Sequence, residues 1–240
     1  MVCEVQAGVR ECVEAMAQLH ATVSHELARS RQLELDLFEA RRSLQQARAD
    51  LVGSRSDARR SRHLALHDEL TSLPNRSFFA EWLEHTLQQA LPRQEHFAVL
   101  CLDLDSFKPI NDTHGHEVGD ELLRIVASRL ARSVRAEDMV SRVGGDEFAC
   151  VLTRLPGREQ VSHLACKLFD AVSAPVKIGR HDLAVRPSIG IAMCPDDGAS
   201  AEALLRHADV AMYHAKRHRS GYAFFEPGRQ GVRGAQVART

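Results

Sequence analysis

The chain has 240 residues, of which 44% are apolar and 26% charged, and this length suits one globular domain with an extension. Its formal net charge of -1 gives no strong electrostatic reason to expect binding to nucleic acid or to an anionic membrane. No apolar run approaches the ~20 residues needed to cross a bilayer. The N-terminus lacks a secretory h-region, and the six cysteines are scattered, so we expect a cytoplasmic, reduced protein.

The first predicted element is a proline-free helix over residues 5–66, in which apolar side chains recur in steps of four and three. This is the a/d pattern of a coiled coil. The positions are Val5, Val9, Cys12, Met16, Leu19, Val23, Leu33, Leu37, Ala40, Leu44, Ala47 and Leu51. We interpret residues 1–66 as a dimerisation stalk. The alternative is a long helix packed back on its own domain.

A second helix is predicted from Ser77 to Gln89, and an apolar run from Phe97 to Leu102 then indicates a buried strand. Asp103 follows this strand directly. An acidic side chain at the exposed end of a central strand is a usual Mg2+ ligand, because hard cations prefer carboxylate and carbonyl oxygens.

The stretch after Asp103 predicts a turn that leads into a helix from about Glu117 to Arg132. Such a strand-to-helix turn offers free backbone amides to phosphate oxygens, and Lys108 adds a positive charge. The alternative is an ordinary capped turn in which Asn111 or Asp112 is the capping residue.

A Gly-Gly step at residues 144 and 145 lies between two stretches that favour extended structure. This pattern predicts a tight hairpin, because glycine accepts positive φ without a Cβ clash. Asp146 and Glu147 then lie at the hairpin tip, where a metal ion or a phosphate has room to approach. By itself the Gly-Gly step also fits an ordinary turn.

The remaining predicted elements are a helix over 159–172, two strands within 176–193, a helix over 201–217 and a strand over 222–225. Pro187 is awkward inside a central strand, so a local irregularity is expected there. Residues 227–240 are rich in Gly and Arg and are expected to be disordered. Strands alternate with helices, which indicates an α/β sandwich with at least one antiparallel hairpin.

Taken together, these motifs resemble the GGDEF family of diguanylate cyclases, which condense two GTP molecules into cyclic di-GMP. The resemblance covers about residues 68–225. Its parts are DELTSLPNR at 68–76, the stretch 103–120, GGDEF at 144–148, SIGIA at 188–192 and ADVAMYHAK at 208–216. It implies that 67–226 form the catalytic domain, a palm-like, mixed α+β βαββαβ core with a mostly antiparallel central sheet.

The resemblance also implies roles for single residues. The metal ligands are Asp103, Asp146 and the carbonyl of Leu104, for two Mg2+ ions per site with Mn2+ as an alternative. Asp146 helps to deprotonate the attacking hydroxyl, and Glu147 supports the site. Phosphate binding falls to the amides of Ser106, Phe107 and Lys108 with the ammonium of Lys216, and guanine binding to Asn111, Asp120 and Leu123.

One departure from the family concerns the segment after Lys216. The usual pattern is Lys, two variable residues and then Gly-Arg-Asn, but here Ser220 stands at the arginine position. Arg219 or Arg217 is a possible substitute for that arginine, although neither is in register. An RxxD sequence, Arg135 to Asp138, has the spacing of the family's product-inhibition site. The alternative for it is an inert surface ion pair.

The expected function is therefore an active homodimeric cyclase with GTP as substrate and cyclic di-GMP as product and inhibitor. Two alternatives stay open. The chain is a catalytically silent receptor for GTP or cyclic di-GMP, or it is a regulatory piece of a larger protein that carries a phosphodiesterase domain.

Overall fold

Seven strands and six α-helices follow one another in the described part of this computed structural model. The strands are β1 (Phe97–Asp105), β2 (Met139–Gly144), β3 (Glu147–Leu152), β4 (Val176–Ile178), β5 (His181–Leu183), β6 (Arg186–Cys194) and β7 (Tyr222–Phe224). The helices are α1 (Val2–Leu66), α2 (Arg76–Ala90), α3 (Phe107–His114), α4 (His116–Ser133), α5 (Arg158–Ser173) and α6 (Ala201–His218). The structure describes residues 2–155 and 157–228, and only the backbone of residues 2–12, 49 and 52–64.

Five strands form the central sheet, in the order β2-β3-β1-β6-β7. All neighbours are antiparallel except β6 and β7, which run parallel. The strands β4 and β5 form a separate two-stranded hairpin. The predicted α+β class with a mostly antiparallel central sheet is thereby confirmed.

The central strand β1 is buried on both faces because helices cover both sides of the sheet. Its even-numbered residues, such as Leu100 and Leu102, lie in a core layer with residues of α4 and α5. Its odd-numbered residues Phe97 and Val99 lie in a second layer with residues of α2 and α6. Side chains alternate along a strand, so the odd-numbered Asp103 and Asp105 project to the α2–α6 face.

Helix α6 packs closely on β6 because Gly190 has no side chain. A Cβ built there would lie 2.0 Å from the carbonyl oxygen of Ala208 and 2.1 Å from the amide nitrogen of Met212. Ser200 caps the start of α6 by accepting a hydrogen bond from the N–H of Ala203. This packing fixes the height of α6 over the sheet and therefore where its C-terminal Lys216 lies.

The predicted elements are mostly confirmed, with two differences in the elements themselves. Residues 107–114, expected as a turn, form the additional short helix α3. The region 176–193 holds three strands instead of two, because residues 179–180 turn a short hairpin before β6 begins. The expected disorder of residues 227–240 falls mainly on residues outside the described range.

Pro187 lies inside β6 without breaking it. The N–H of Ile189 faces β7, where it donates to the carbonyl of Gly221. Residues two apart point the same way along a strand, so the nitrogen of Pro187 also faces that side. Because β7 pairs with β6 only from Ile189 to Ile191, no ladder hydrogen bond is lost at Pro187. The local irregularity expected at Pro187 is therefore wrong, since β6 pairs regularly with β1 through that residue.

Helix α1 is described by itself as a separate unit, up to Ser61. Its apolar a/d side chains remain about half exposed, with Met16 at 64% and Leu37 at 52%. The predicted positions Val5, Val9 and Cys12 lie outside the described side chains. No helix in the described ranges combines the length and apolarity that a bilayer span requires.

The thiols of Cys101, Cys150, Cys166 and Cys194, whose side chains the structure describes, are free. Burial, with the nearby charge of Asp209, raises the pKa of Cys101 to about 12. Burial also raises the pKa of Cys150, whereas Cys166 is exposed. The cysteines in the strands therefore behave as the small buried apolar side chains that the sequence predicts.

Candidate active site

Three acidic side chains project from one face of the sheet at the end where β1 and β3 leave the core. Asp103 lies directly opposite Glu147 in the β1–β3 pair. Directly opposed residues share a face, so Glu147 joins Asp103 and Asp105 on the α2–α6 side. The neighbouring Ala149 and Val151 pack in the same layer. An acidic cluster therefore borders the apolar layer beneath α6.

The Gly-Gly hairpin forms as predicted and carries Asp146 at its tip. Gly144 pairs with Glu147, and Gly145 has a φ of 49°. A Cβ at either glycine would meet nothing within 4 Å, so the space beside the tip is open. The N–H of Leu104 donates to the carbonyl of Asp146 at 3.3 Å. This bond joins the hairpin tip to the end of β1.

Arg142, on β2 of the hairpin, stabilises the hairpin turn through its side chain, a role that the sequence did not reveal. Its guanidinium donates to the carbonyl of Gly145 at 2.8 and 2.9 Å and to Oδ1 of Asp68 at 2.9 Å. Burial alone would raise the pKa of Asp68, but hydrogen bonds from Thr71 and Arg142 hold it below its usual value. Both motifs are visible in the sequence, yet their pairing spans 74 positions and needs the tertiary structure.

Lys216 reaches the acidic cluster from the end of α6. Its ammonium forms a hydrogen-bonded ion pair with Oδ1 of Asp103. Burial by itself lowers the pKa of Lys216, but the bond to Asp103 and the charges of Asp105 and Asp146 raise it overall. One ammonium group therefore lies within the field of three carboxylates.

Glu147 binds protons more readily than an ordinary glutamate. Burial raises the pKa of Glu147, and the charges of Asp103, Asp146 and Asp209 raise it further. Negative charges nearby disfavour ionisation of the Glu147 carboxyl. The site therefore has an excess of negative charge that a cation would relieve.

The turn after β1 presents backbone amides. Ser106 adopts the left-handed conformation, with φ at 60°, and α3 begins at Phe107 without a side-chain cap. The first N–H groups of a helix have no partner within it. Here these are the amides of Ser106, Phe107 and Lys108, since Pro109 has none. Uncapped amides at a helix start suit an anion such as phosphate.

The residues predicted to contact guanine come from α3 and α4. Asn111 lies on α3, while Asp120 and Leu123 lie on α4. Oδ1 of Asn111 is buried and accepts no hydrogen bond within the described chain. Leu123 is 3% exposed, so any ligand would touch only its edge. A buried acceptor without a donor fits the N–H groups of guanine.

Gly119 on α4 makes room for Asn111, and we predict that Gly119→Ala weakens GTP binding about tenfold or more. A Cβ there would lie 1.7 Å from Oδ1 of Asn111, so the amide must move. Alanine in a helix normally stabilises by about 0.5–1 kcal/mol. We therefore expect weaker GTP binding by calorimetry without a matching loss of thermal stability.

Ala127→Gly, in the same helix, is the converse control. It should lower the thermal stability of the fold without a selective loss of GTP affinity. Unchanged GTP affinity in Gly119→Ala would contradict the role of Asn111.

The donors present fit a hard divalent cation. Besides the carboxylates of Asp103 and Asp146, the carbonyl of Leu104 faces the hairpin, because the N–H and C=O of one strand residue point the same way. Within the described residues, no three His, Cys, Asp or Glu side chains form a metal site alone. Mg2+ commonly keeps waters and takes further oxygens from substrate phosphates. Two carboxylates and one carbonyl are a protein ligand set that suits this mode of Mg2+ coordination.

The RxxD turn borders a cavity of about 410 Å³. Asp138 accepts hydrogen bonds from the N–H of Arg135 at 3.1 Å and from the N–H of Thr153 at 2.9 Å. Its carboxylate therefore holds the turn together. The exposed Arg135 makes no ion pair among the described residues, which argues against the inert-pair alternative.

The segment after Lys216, where the sequence departs from the family pattern, turns sharply out of α6. Arg219 ends α6 in the left-handed conformation, with φ at 51°. The hydroxyl of Ser220 donates to the carbonyl of Tyr222 at 3.0 Å. Ser220 therefore serves the turn and supplies no positive charge.

Comparison with known proteins identifies relatives of this chain. A family profile described as "Diguanylate cyclase, GGDEF domain" matches residues 65–221. The bifunctional diguanylate cyclase/cyclic di-GMP phosphodiesterase MucR of Pseudomonas aeruginosa is 48% identical over 165 residues, covering 68% of this chain and 24% of MucR. The diguanylate cyclase TpbB from the same species is 41% identical, covering 66% of this chain and 37% of TpbB. The chain thus spans well under half the length of these relatives.

Solved structures show the same fold. The isolated GGDEF domain of TpbB has a TM-score of 0.65 at 40% identity, covering 67% of this chain and 94% of that one. The coiled coil and GGDEF domain of DgcB from Caulobacter crescentus, in complex with c-di-GMP, has a TM-score of 0.70 at 28% identity, covering 78% and 98%.

Proposed function

Because this chain belongs to the GGDEF family, we propose that it is a diguanylate cyclase that condenses two GTP molecules into cyclic di-GMP and pyrophosphate as a homodimer. One observation carries the proposal. Asp103, Asp146 and Glu147 gather beside the uncapped amides at the start of α3. Carboxylates for cations next to amides for phosphates are what nucleotidyl transfer requires.

In each half-reaction, the 3′-hydroxyl of one GTP loses its proton and bonds to the α-phosphorus of the other, and pyrophosphate departs. Asp146, at the open hairpin tip, is placed to accept that proton. The raised pKa of Glu147 gives it a higher proton affinity than an ordinary glutamate, so it can share the proton or orient Asp146. The amides of Ser106, Phe107 and Lys108 and the ammonium of Lys216 hold the phosphates in line.

Asp103, Asp146 and the carbonyl of Leu104 are the groups that would hold Mg2+. When bound, two such ions lower the pKa of the attacking hydroxyl and neutralise charge on the leaving pyrophosphate. The ammonium of Lys216, paired with Asp103, offsets part of the mutual repulsion of the carboxylates.

Helix α1 pairs two chains, so that the second chain brings the other half of the active site. Each half holds one GTP, so the halves must face one another. The half-exposed apolar stripe of α1 supports a coiled coil with a second copy, since an a/d stripe is buried only against another helix. A paired stalk raises the effective concentration of the two halves.

The direct test incubates the purified chain with GTP and Mg2+ and assays cyclic di-GMP and pyrophosphate. Both products should form in a 1:2 ratio, and EDTA should abolish them. If GTP is left unchanged in the presence of Mg2+, the cyclase proposal fails.

We propose further that cyclic di-GMP inhibits the enzyme at the RxxD turn. The exposed guanidinium of Arg135 would grip phosphate or guanine, and Asp138 would meet the guanine edge. The adjoining cavity, lined also by His163 and Lys167, supports a bound anion there.

Arg135→Ala should relieve inhibition by added cyclic di-GMP and leave the initial rate nearly unchanged. Arg135 is the better target because the carboxylate of Asp138 also holds the turn. Initial rates at increasing cyclic di-GMP give the inhibition constant, which we expect to rise about tenfold or more. Arg132→Ala, on the exposed end of α4, is the control with the same loss of charge. Inhibition that is unaltered in Arg135→Ala would rule the site out.

A silent receptor for GTP or cyclic di-GMP is the second candidate, and Ser220 favours it. Loss of the expected arginine removes one phosphate contact. A protein of this kind would bind nucleotide with Mg2+ but form no product in the assay above.

A further inference from the structure

A cavity of about 240 Å³ lies beside the start of α3, and two arginines line it. Its wall includes Ser106 and Asp105 at the end of β1, Phe169 from α5, Arg186 from β6 and Arg219 from the end of α6. A single bound water needs about 10–15 Å³ of such space, so the cavity has room for several waters. That is enough for the terminal phosphates of a nucleotide.

The side chain of Arg186 stacks on the ring of Phe169 at the cavity wall. Its guanidinium carbon lies 5.2 Å from the centre of the Phe169 ring. This geometry is a cation–π contact, which orients the group without neutralising its charge. Within the described part of the chain, Arg186 has no ion pair with a carboxylate. Its charge is therefore available to a ligand.

Arg219 reaches the same cavity because α6 ends there. Its backbone N–H bonds to the carbonyls of Ala215 and Lys216, and its left-handed conformation turns the chain away from the helix axis. Lys216, three residues earlier, contacts Asp103. The two side chains thus flank the acidic cluster from one helix end. Arg219 also makes no ion pair with any described residue.

The local charge balance favours an anion. Asp105 is the one carboxylate on the cavity wall, and it already accepts a hydrogen bond from the hydroxyl of Ser188 at 2.9 Å. Two guanidinium groups oppose it. Ser106 at the rim immediately precedes the free amides of Phe107 and Lys108, so a phosphate on those amides would extend toward both arginines.

We propose that Arg186 and Arg219 bind the terminal phosphates of the nucleoside triphosphate, in place of the arginine that is missing at Ser220. This assignment of the two arginines rests on the proposed function in one respect, because it takes the triphosphate of GTP as the ligand. The contacts come from two elements far apart in sequence. Guanidinium groups suit this task because their N–H donors pair with phosphate oxygens.

The test measures binding of an α,β-methylene analogue of GTP and of GMP by calorimetry with Mg2+, since the analogue cannot release pyrophosphate. Arg186→Ala and Arg219→Ala should each weaken binding of the analogue about tenfold, and the double variant more. Binding of GMP, which has no terminal phosphates, should not change. Arg217→Ala is the matched control on the same helix end, because Arg217 does not line the cavity.

Two results would overturn the proposal: analogue binding in the double variant equal to that of wild type, or equal losses for the analogue and GMP. Equal losses would mean that the arginines support the fold. Failure of the cyclase proposal is separate, because it appears as absent cyclic di-GMP in wild type whether or not these affinities change.

Discussion

Asp146→Asn should lower the rate of cyclic di-GMP formation by on the order of 10³-fold, the scale of losing several kcal/mol of charge stabilisation. The substitution keeps the size of the side chain but removes both its negative charge and its ability to accept a proton. The fold should survive, because the hydrogen bond that joins the hairpin to β1 uses the carbonyl of Asp146 and not its carboxylate. Asparagine is also readily accepted in turns.

Product formation and thermal unfolding should be measured side by side. Asp182→Asn, on the exposed short strand β5, is the control for the loss of one carboxylate. It should match wild type in both measurements. An Asp146→Asn enzyme with more than about a tenth of the wild-type rate would contradict the assignment of metal binding and proton transfer to this side chain.

Deletion of residues 1–60 should reduce turnover per chain about 100-fold or more when the enzyme is assayed at high dilution. Without the stalk, two catalytic halves meet only by diffusion, so the rate per chain should rise again as enzyme concentration increases. The cut lies next to the boundary at Ser61 between the two compact units. Initial rates over several decades of enzyme concentration measure the effect.

A fusion separates dimerisation from any other role of the stalk. An unrelated parallel dimeric coiled coil, joined before Ser61 in the heptad register of α1, should restore the rate at high dilution. The same fusion with a register shift should restore it less, because the two sites would no longer face one another. Turnover per chain that is independent of concentration in the deletion variant would refute the stalk as a dimer clamp.

The elements that sequence patterns predicted well are those with a clear local signal. Val99, flanked by apolar neighbours on both sides, predicts a strand buried on two faces. The glycines at 144 and 145 predict the hairpin, because positive φ at Gly145 is a local requirement. Residues 107–114 were harder to predict, since Pro109 and the polar residues after it fit a turn as well as the short helix α3.

What the sequence could not supply is the meeting of distant side chains. Arg142 and Asp68 each belong to a recognisable motif, but their ion pair depends on how the hairpin packs against the loop before α2. Likewise, nothing local predicts that Arg186 and Arg219 share a cavity. The sequence left Arg217 and Arg219 equally open as substitutes out of register, because the left-handed end of α6 is a feature of the folded backbone.

The sequence by itself determined the family, the order of the elements and the residue types of the acidic site, because these follow from local conformational preference and motif spacing. Only the tertiary structure decided which charges lie together: Lys216 on Asp103, Arg142 on Asp68, and two arginines beside the free amides of α3. The physical reason is that electrostatic interactions depend on distance in space. Close packing of α6 over Gly190 and the pairing of β1 with β3 and β6 set those distances.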